Sequence, residues 1–259
     1  MTSKPKAIVF FDLDGTLLTR DVTVASSTID AINHLYENNI MPIIATGRTV
    51  CEVQHIMQQA KINSIVAMNG QSVFYQGEHI FSNNIDKHVI ERLVDFSKTQ
   101  TNIPLAFYND KIMRISELGE PAEIFYHYLK QSIPPVDNDI YRQEPIQMML
   151  LLCQSGEEQY IKQFPELNFI RNTPYCVDVF NHGGSKAFGI KKLLENKGFL
   201  DVPTYAFGDG LNDIEMFKMV DHSIAMGNSV EPLKQLAEFI TDDNNHHGIA
   251  NALKKLGLI

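Results

Sequence analysis

Asp12 and Asp14 stand one residue apart at the end of an apolar run, FFDLDGTLL over residues 10–18, with Gly15 and Thr16 directly behind them. A buried strand seldom finishes on two carboxylates, so either a turn starts there or both acids are held for a purpose. Three other short stretches carry matching chemistry. MPIIAT ends on Thr46 and leads into Gly47 and Arg48, GGSK ends on Lys186, and GDGLND supplies Asp209, Asn212 and Asp213. Several acid oxygens suit a hard divalent cation such as Mg2+, which takes oxygen ligands and accepts phosphate oxygens as partners. Lys186, the Thr46 hydroxyl and loop amides near Gly15 and Gly47 suit an anion, helped by helix N-termini. A metal, an anion pocket and a spare carboxylate together suit phosphoryl transfer through a covalent aspartyl phosphate.

Each stretch alone has a plainer reading. DLDGT is also a strand followed by an Asp-Gly turn, and ATGR is also a strand, a glycine turn and a helix start. A lysine after Gly-Gly-Ser is usually solvated, and GDGLND also reads as a turn with an Asx helix cap at Asn212 or Asp213. The chemical reading rests on the four acting together.

The surrounding elements bring them together. AIVFFDL, MPIIAT and SIVAMNG read as strands, separated by helical spacing in 26–39 and 50–60. Successive strand-helix-strand units imply a doubly wound, Rossmann-like parallel sheet, an α/β fold. After residue 70 the pattern changes to hairpins, turning at Gln76-Gly77 and Asn109-Asp110, with a helix carrying Ile90, Leu93 and Val94 on one face, another in 121–132, and three further strands. Alternation returns after GGSK, with a helix carrying Val230, Leu233 and Leu236 and a last one carrying Ile249, Leu253 and Leu256. The expected organisation is a core of 1–82 plus 183–259, interrupted by an inserted α+β cap over 83–182. In open α/β sheets ligands bind beyond the carboxyl ends of the strands, and all four stretches fall there.

The bulk numbers set bounds. The 259 residues are 44% hydrophobic and 20% charged, as in a folded globular chain. A formal net charge of −9 argues against nucleic acid as a partner, which needs a basic face. The longest apolar runs, such as MMLLLC, fall far short of the roughly 20 residues of a membrane span. The N-terminal apolar run is too short for a signal peptide, so a cytoplasmic location is expected. Cys51, Cys153 and Cys176 are odd in number and form no CxxC, and read as small buried hydrophobes in a reducing compartment.

DLDGTLL, ATGR, GGSK and GDGLND, in this order and with a large insert between the second and third, resemble the haloacid dehalogenase (HAD) superfamily, and within it the Cof-type phosphatases. The late TDDNNHHGIANAL is similar to that family's closing loop and helix. The resemblance implies that Asp12 is the nucleophile and a metal ligand. It implies that Asp14 lends its backbone carbonyl to Mg2+ and its side chain as general acid and base. Thr46, with Gly47, and Lys186 would bind the transferring phosphoryl group, Asp209 would be the second carboxylate on the metal, Asn212 would face the phosphate, and Asp213 would orient Lys186. The implied activity is Mg2+-dependent hydrolysis of small phosphomonoesters, sugar phosphates or phosphorylated cofactors.

Two rivals share the same residues: a sugar phosphomutase of the phosphomannomutase type, and a ligand sensor without turnover. In the cap, Tyr108, Arg114, Arg142 and His182 are candidates to read the leaving group. Arg48 reads equally as a surface ion pair or a substrate contact, and Asn69 as a site residue or a simple turn. His246-His247 reads as an exposed loop rather than a metal site, because such sites need ligands converging from elsewhere. Oligomeric state leaves no mark in the sequence.

Overall fold

The structure, a computed structural model, describes residues 4–259. Its strands and helices run β1 (Ala7–Phe11), α1 (Ser26–Glu37), β2 (Ile40–Ala45), α2 (Val50–Ala60), β3 (Ile65–Ala67), β4 (Ser72–Tyr75) and β5 (Glu78–Ser82). Next come α3 (Lys87–Phe96), β6 (Leu105–Tyr108), β7 (Met113–Ile115), α4 (Glu120–Tyr128), β8 (Met148–Leu151), α5 (Glu158–Gln163), β9 (Leu167–Thr173) and β10 (Cys176–Asn181). The chain closes with α6 (Lys186–Lys197), β11 (Thr204–Gly208), α7 (Ile214–Met219), β12 (His222–Ala225), α8 (Glu231–Lys234), β13 (Phe239–Ile240) and α9 (Gly248–Lys255). It divides into two compact units, one running to Phe81 and resuming at Ser185, the other Ser82–Gly184.

In the first unit β1 is buried along its whole length, which a strand with helices on both faces requires. Val9 and Phe11 pack with Ile32 and Leu35 of α1, Val53 and Ile56 of α2, and Leu253 of α9. Ile8 and Phe10 point the other way, onto Ile190 and Leu193 of α6 and Met216 of α7. The strand order is β13-β12-β11-β1-β2-β3-β4-β5, so β1 lies at the centre, parallel to β11 on one side and β2 on the other. Phe11 is in register with Phe207 and with Ile44. Asp12, the residues after Ala45 and those after Gly208 therefore leave one edge of the sheet side by side. β4 turns back antiparallel on β3, and Gln76 and Gly77, both left-handed at φ 50° and 82°, make the tight turn into β5.

The second unit is an antiparallel sheet of order β7-β6-β8-β10-β9. Ile90, Leu93 and Val94 of α3 and Tyr160 of α5 pack on one face with Phe107, Met149 and Val177. Tyr108, the next residue along β6, points to the opposite face, where its hydroxyl meets that of Tyr126 in α4 at 2.6 Å. Of the four leaving-group candidates, Tyr108 is thus buried in a tyrosine pair, and Arg142 is exposed and pairs with Asp139 at 3.0 Å. Arg114 is half-buried against the Met113 carbonyl, and His182 is exposed.

The sequence reading misplaces several details. The helix expected around Val230 and Leu236 is a single turn, α8, and Leu236 is exposed. The chain then forms β13, a two-residue edge strand on Ile224 and Ala225, too short to show any alternation. α4 stops at Tyr128, because Lys130 takes a left-handed φ of 55°. Cys51 is exposed rather than buried, since Val53, Ile56 and Ala60 turn the inner face of α2 to the core; Cys153 is half-buried and Cys176 buried. Among the described residues no helix is long and apolar enough to cross a membrane.

Candidate active site

Asp12 ends β1 and is only 5% exposed. The chain leaves it through a tight turn in which Leu17 N–H donates to the Asp12 carbonyl at 3.1 Å and Leu18 N–H to that of Leu13 at 2.9 Å. Gly15 makes this turn with φ 82°, and a side chain there would collide with the Asp209 carboxylate. A glycine is required on both counts. Thr16 Oγ1 donates to Asp209 Oδ1 at 2.9 Å, tying the first acid-bearing loop to the one after β11.

Lys186 begins α6, whose N-cap Ser185 accepts the Phe188 N–H at 3.1 Å. Its ammonium is fully buried, donating to Asp12 Oδ1 and, at 2.7 Å, to Asp213 Oδ1. Burial works against that charge, but Asp12 and Asp213 outweigh it and hold the lysine pKa above its usual value. The helix reaches this depth through a backbone contact. A methyl on Gly189 would lie 2.6 Å from Gly70 Cα, so the absence of side chains at both positions lets α6 dock on the turn after β3. Asp213 is wholly buried, and its other oxygen accepts the N–H groups of Asp209 and Gly210 at 3.0 and 2.9 Å. Its acceptor sites are thereby committed to the lysine and the loop.

Among the described residues, Asp12, Asp209 and Asp213 form the one group of acid, histidine or cysteine side chains whose ligand atoms all lie within 4.8 Å of one another. Burial pushes the Asp12 carboxyl well up; Lys186 pulls it down, while Asp213, Asp209 and Asp14 push it further up. Burial likewise pushes Asp209 up to about 6, against the Thr16 hydrogen bond, with Asp213 adding to the rise. Three carboxylates facing one ammonium are an excess of negative charge. That excess and an all-oxygen donor set fit a hard divalent cation. With Asp213 committed elsewhere, Asp12 and Asp209 are the side chains with oxygens to offer it.

Thr46 follows β2 and is buried, its Oγ1 accepting the Arg48 N–H at 3.1 Å. The backbone of 46–48 is clamped to the turn after β3: Asn69 N–H donates to the Thr46 carbonyl and Met68 N–H to that of Arg48, both at 3.0 Å. Met68, Asn69 and Gly70 are left-handed in succession, at φ 50°, 51° and 87°. Such a run stores backbone strain that the surrounding bonds must hold. It places the buried Asn69 amide 3.4 Å from where a Gly47 side chain would begin. Asn69 therefore packs against the Gly47 backbone as well as making the turn. Arg48 reaches back to Asp14, Nε to Oδ2 at 2.8 Å and Nη2 to Oδ1.

Asp12, Asp14, Thr46, Gly47, Lys186, Asp209 and Asp213 thus gather at one sheet edge. Asn212 lies half-buried in the turn after β11, and among the described residues its side chain has no hydrogen-bond partner. His246 and His247 are exposed and engaged elsewhere, with Asp243 at 2.8 Å and with Ser27 Oγ at 2.7 Å. Sequence reasoning missed Asn228, which donates to the Gly15 carbonyl at 2.8 Å from the loop after β12. Only its position, three residues past the end of another core strand, could have flagged it.

The model of the haloacid dehalogenase-like hydrolases matches residues 9–253. The chain belongs to this family. YkrA of Bacillus subtilis (strain 168), provisionally named a phosphatase, is 36% identical over 97% of this chain and 98% of its own. A solved structure from Geobacillus kaustophilus HTA426 is 38% identical, with a TM-score of 0.92 over 98% of this chain and all of that one. That of the HAD subclass IIB sugar phosphatase BT4131 is 28% identical, with a TM-score of 0.84 over 98% of this chain and all of that one. The protein is accordingly a HAD-family phosphatase, and hydrolases of this family generally use a divalent metal.

Proposed function

We propose that the protein is a Mg2+-dependent hydrolase of small phosphomonoesters, sugar phosphates or phosphorylated cofactors, working through an aspartyl phosphate on Asp12. The observation that carries this reading is the buried Lys186 ammonium, shared between Asp12 and Asp213 beside Asp209. A binding module needs no such pairing of a lysine with a carboxylate that can attack. Similarity to a sugar phosphatase supports the substrate class.

In this reading Asp12 and Asp209, with the Asp14 carbonyl, would hold Mg2+, which would supply positive charge to offset that of the phosphoryl group. Lys186 and Thr46, with the Gly47 amide and Asn212, hold the phosphoryl oxygens. An Asp12 oxygen attacks phosphorus as the bond to the leaving oxygen breaks, and that oxygen takes a proton from Asp14. Water then gives its proton to Asp14 and attacks phosphorus, the Asp12–phosphate bond breaks, and the carboxylate returns. One of the two Arg48 hydrogen bonds to Asp14 must give way as that carboxyl takes up its proton, while the other continues to hold it in place. Every residue in this scheme comes from the first unit, and reading of the leaving group is assigned to the inserted unit, residues 82–184.

Phosphate release from a panel of phosphomonoesters, with Mg2+ and with EDTA, tests the activity. Hydroxylamine trapping of an acyl phosphate at Asp12, lost in Asp12→Asn, tests the intermediate. Asp12→Asn is expected to lower kcat by on the order of 10⁴-fold or more. Near-normal turnover in that variant would overturn the nucleophile assignment.

A further inference from the structure

We infer that Asn228, oriented by Asn244, is a positioning residue that sets the turn between Asp14 and Thr16 and thereby the oxygens offered to the divalent cation. This inference rests on the metal reading above. Asn228 Nδ2 donates to the Gly15 carbonyl at 2.8 Å and lies 3.5 Å from Asp209 Oδ2. One side chain thus spans the two acid-bearing loops. The loop carrying it is itself anchored on β11: Met226 N–H and Ser229 Oγ donate to the Gly208 carbonyl at 3.1 and 3.0 Å, and Val230 N–H to that of Asp209 at 3.0 Å.

The amide of Asn228 has its orientation fixed from behind. Asn244 N–H donates to Asn228 Oδ1 at 3.2 Å, which leaves the Nδ2 end for the Gly15 carbonyl. Asn244 Nδ2 donates to the Leu18 carbonyl at 2.7 Å, so the same segment grips the far end of the Asp12–Leu18 turn. Asn245 continues the ladder, donating to Asn244 Oδ1 at 3.0 Å and accepting the Arg20 N–H at 3.1 Å. The segment lies close enough to do this because Gly227 and Gly248 have no side chain. A methyl at Gly227 would stand 2.8 Å from the Asp243 nitrogen, and one at Gly248 would strike the Asp242 carbonyl. The stretch TDDNNHHG is therefore a strap over the catalytic turn.

Gly15 needs this help. Its left-handed φ is cheap for glycine, but glycine also has the widest choice of other conformations. Its carbonyl is the group that a donor must hold if the Asp14 peptide and the Thr16 hydroxyl are to stay in place. Outer groups of this kind typically change metal affinity by about 10- to 100-fold when removed.

The test measures Mg2+ binding directly, by titration calorimetry on wild type, Asn228→Ala, Asn244→Ala and the double variant, with thermal melts of the metal-free proteins. Asn228→Ala is expected to raise the Mg2+ Kd by about tenfold. Asn244→Ala keeps the backbone N–H that orients Asn228 and removes only the side-chain hold on the Leu18 carbonyl at the far end of the turn, so it is expected to raise the Kd less, and the double variant to fall short of the product of the two, because both hold the same turn. The Mg2+-dependent rise in Tm should shrink in the same order. If Asn228→Ala fails to fold, Asn228→Leu, which keeps the side-chain volume without the donor to Gly15, decides. Folded variants that bind Mg2+ within twofold of wild type overturn the inference while leaving the proposed function standing. A wild-type protein that binds no Mg2+ overturns both.

Discussion

Arg48 holds both carboxylate oxygens of Asp14, joining the residue after the Thr46-Gly47 turn to the second aspartate of the β1 loop. Asp14 is about half exposed in this pair, so the link contributes at most about 1 kcal/mol to stability. Its effect is on geometry. Arg48→Ala is expected to leave Tm nearly unchanged and to lower kcat by about tenfold, a part of what general acid–base catalysis supplies. Arg48→Lys should rescue little, since an ammonium lacks the planar fork that fixes both oxygens. Steady-state kinetics beside thermal melts checks this.

Asp213 behaves differently, being wholly buried with three donors on its carboxylate. Asp213→Leu removes one partner of a buried ion pair and is expected to cost about 3–5 kcal/mol. Asp213→Asn should cost less, and because it leaves Lys186 leaning on Asp12 alone, it should lower kcat more than it lowers stability. Urea unfolding and kcat measured on the same preparations separate the two effects.

Metal binding should depend on pH through Asp209. Burial, with Asp213 adding, pushes its pKa to about 6 in the metal-free protein, above the ordinary carboxylate value. A raised acid pKa means that the folded state takes up a proton more readily than the unfolded one. The metal-free protein therefore loses stability from this group as pH rises from about 4 to about 6. Mg2+ and the proton compete for the same oxygens, so the rise in Tm produced by Mg2+ should be larger at pH 7.5 than at pH 5. Scanning calorimetry at both values, with and without Mg2+, gives the comparison.

Gly189→Ala tests the docking of α6. The new methyl would press on Gly70 Cα and Val66 Cγ1, and such overpacking costs about 1–3 kcal/mol. Outward movement of the helix to relieve it would withdraw Lys186 from Asp12. A fall in kcat larger than the loss of stability explains is expected. Ala187, one residue past Lys186 and free of that backbone contact, provides the control as Ala187→Ser.

The sequence by itself determined the strands at the centre of the core sheet and the helices beside them. These are local facts: apolar runs fix β1 and β2, helical spacing fixes α1 and α2, and any parallel sheet sends the residues after Phe11, Ala45 and Gly208 to one edge. Tertiary structure decided how those residues are held. Arg48 chooses Asp14 over solvent, Gly189 matters only because Gly70 meets it, and Asn228 matters only because the strap beyond β13 returns to the turn at Gly15. Residues 228 and 15 are far apart in the chain, and no periodicity or turn rule links them. A hydrogen bond between them exists only once the sheet has set β1 beside β11 and β12 next to that.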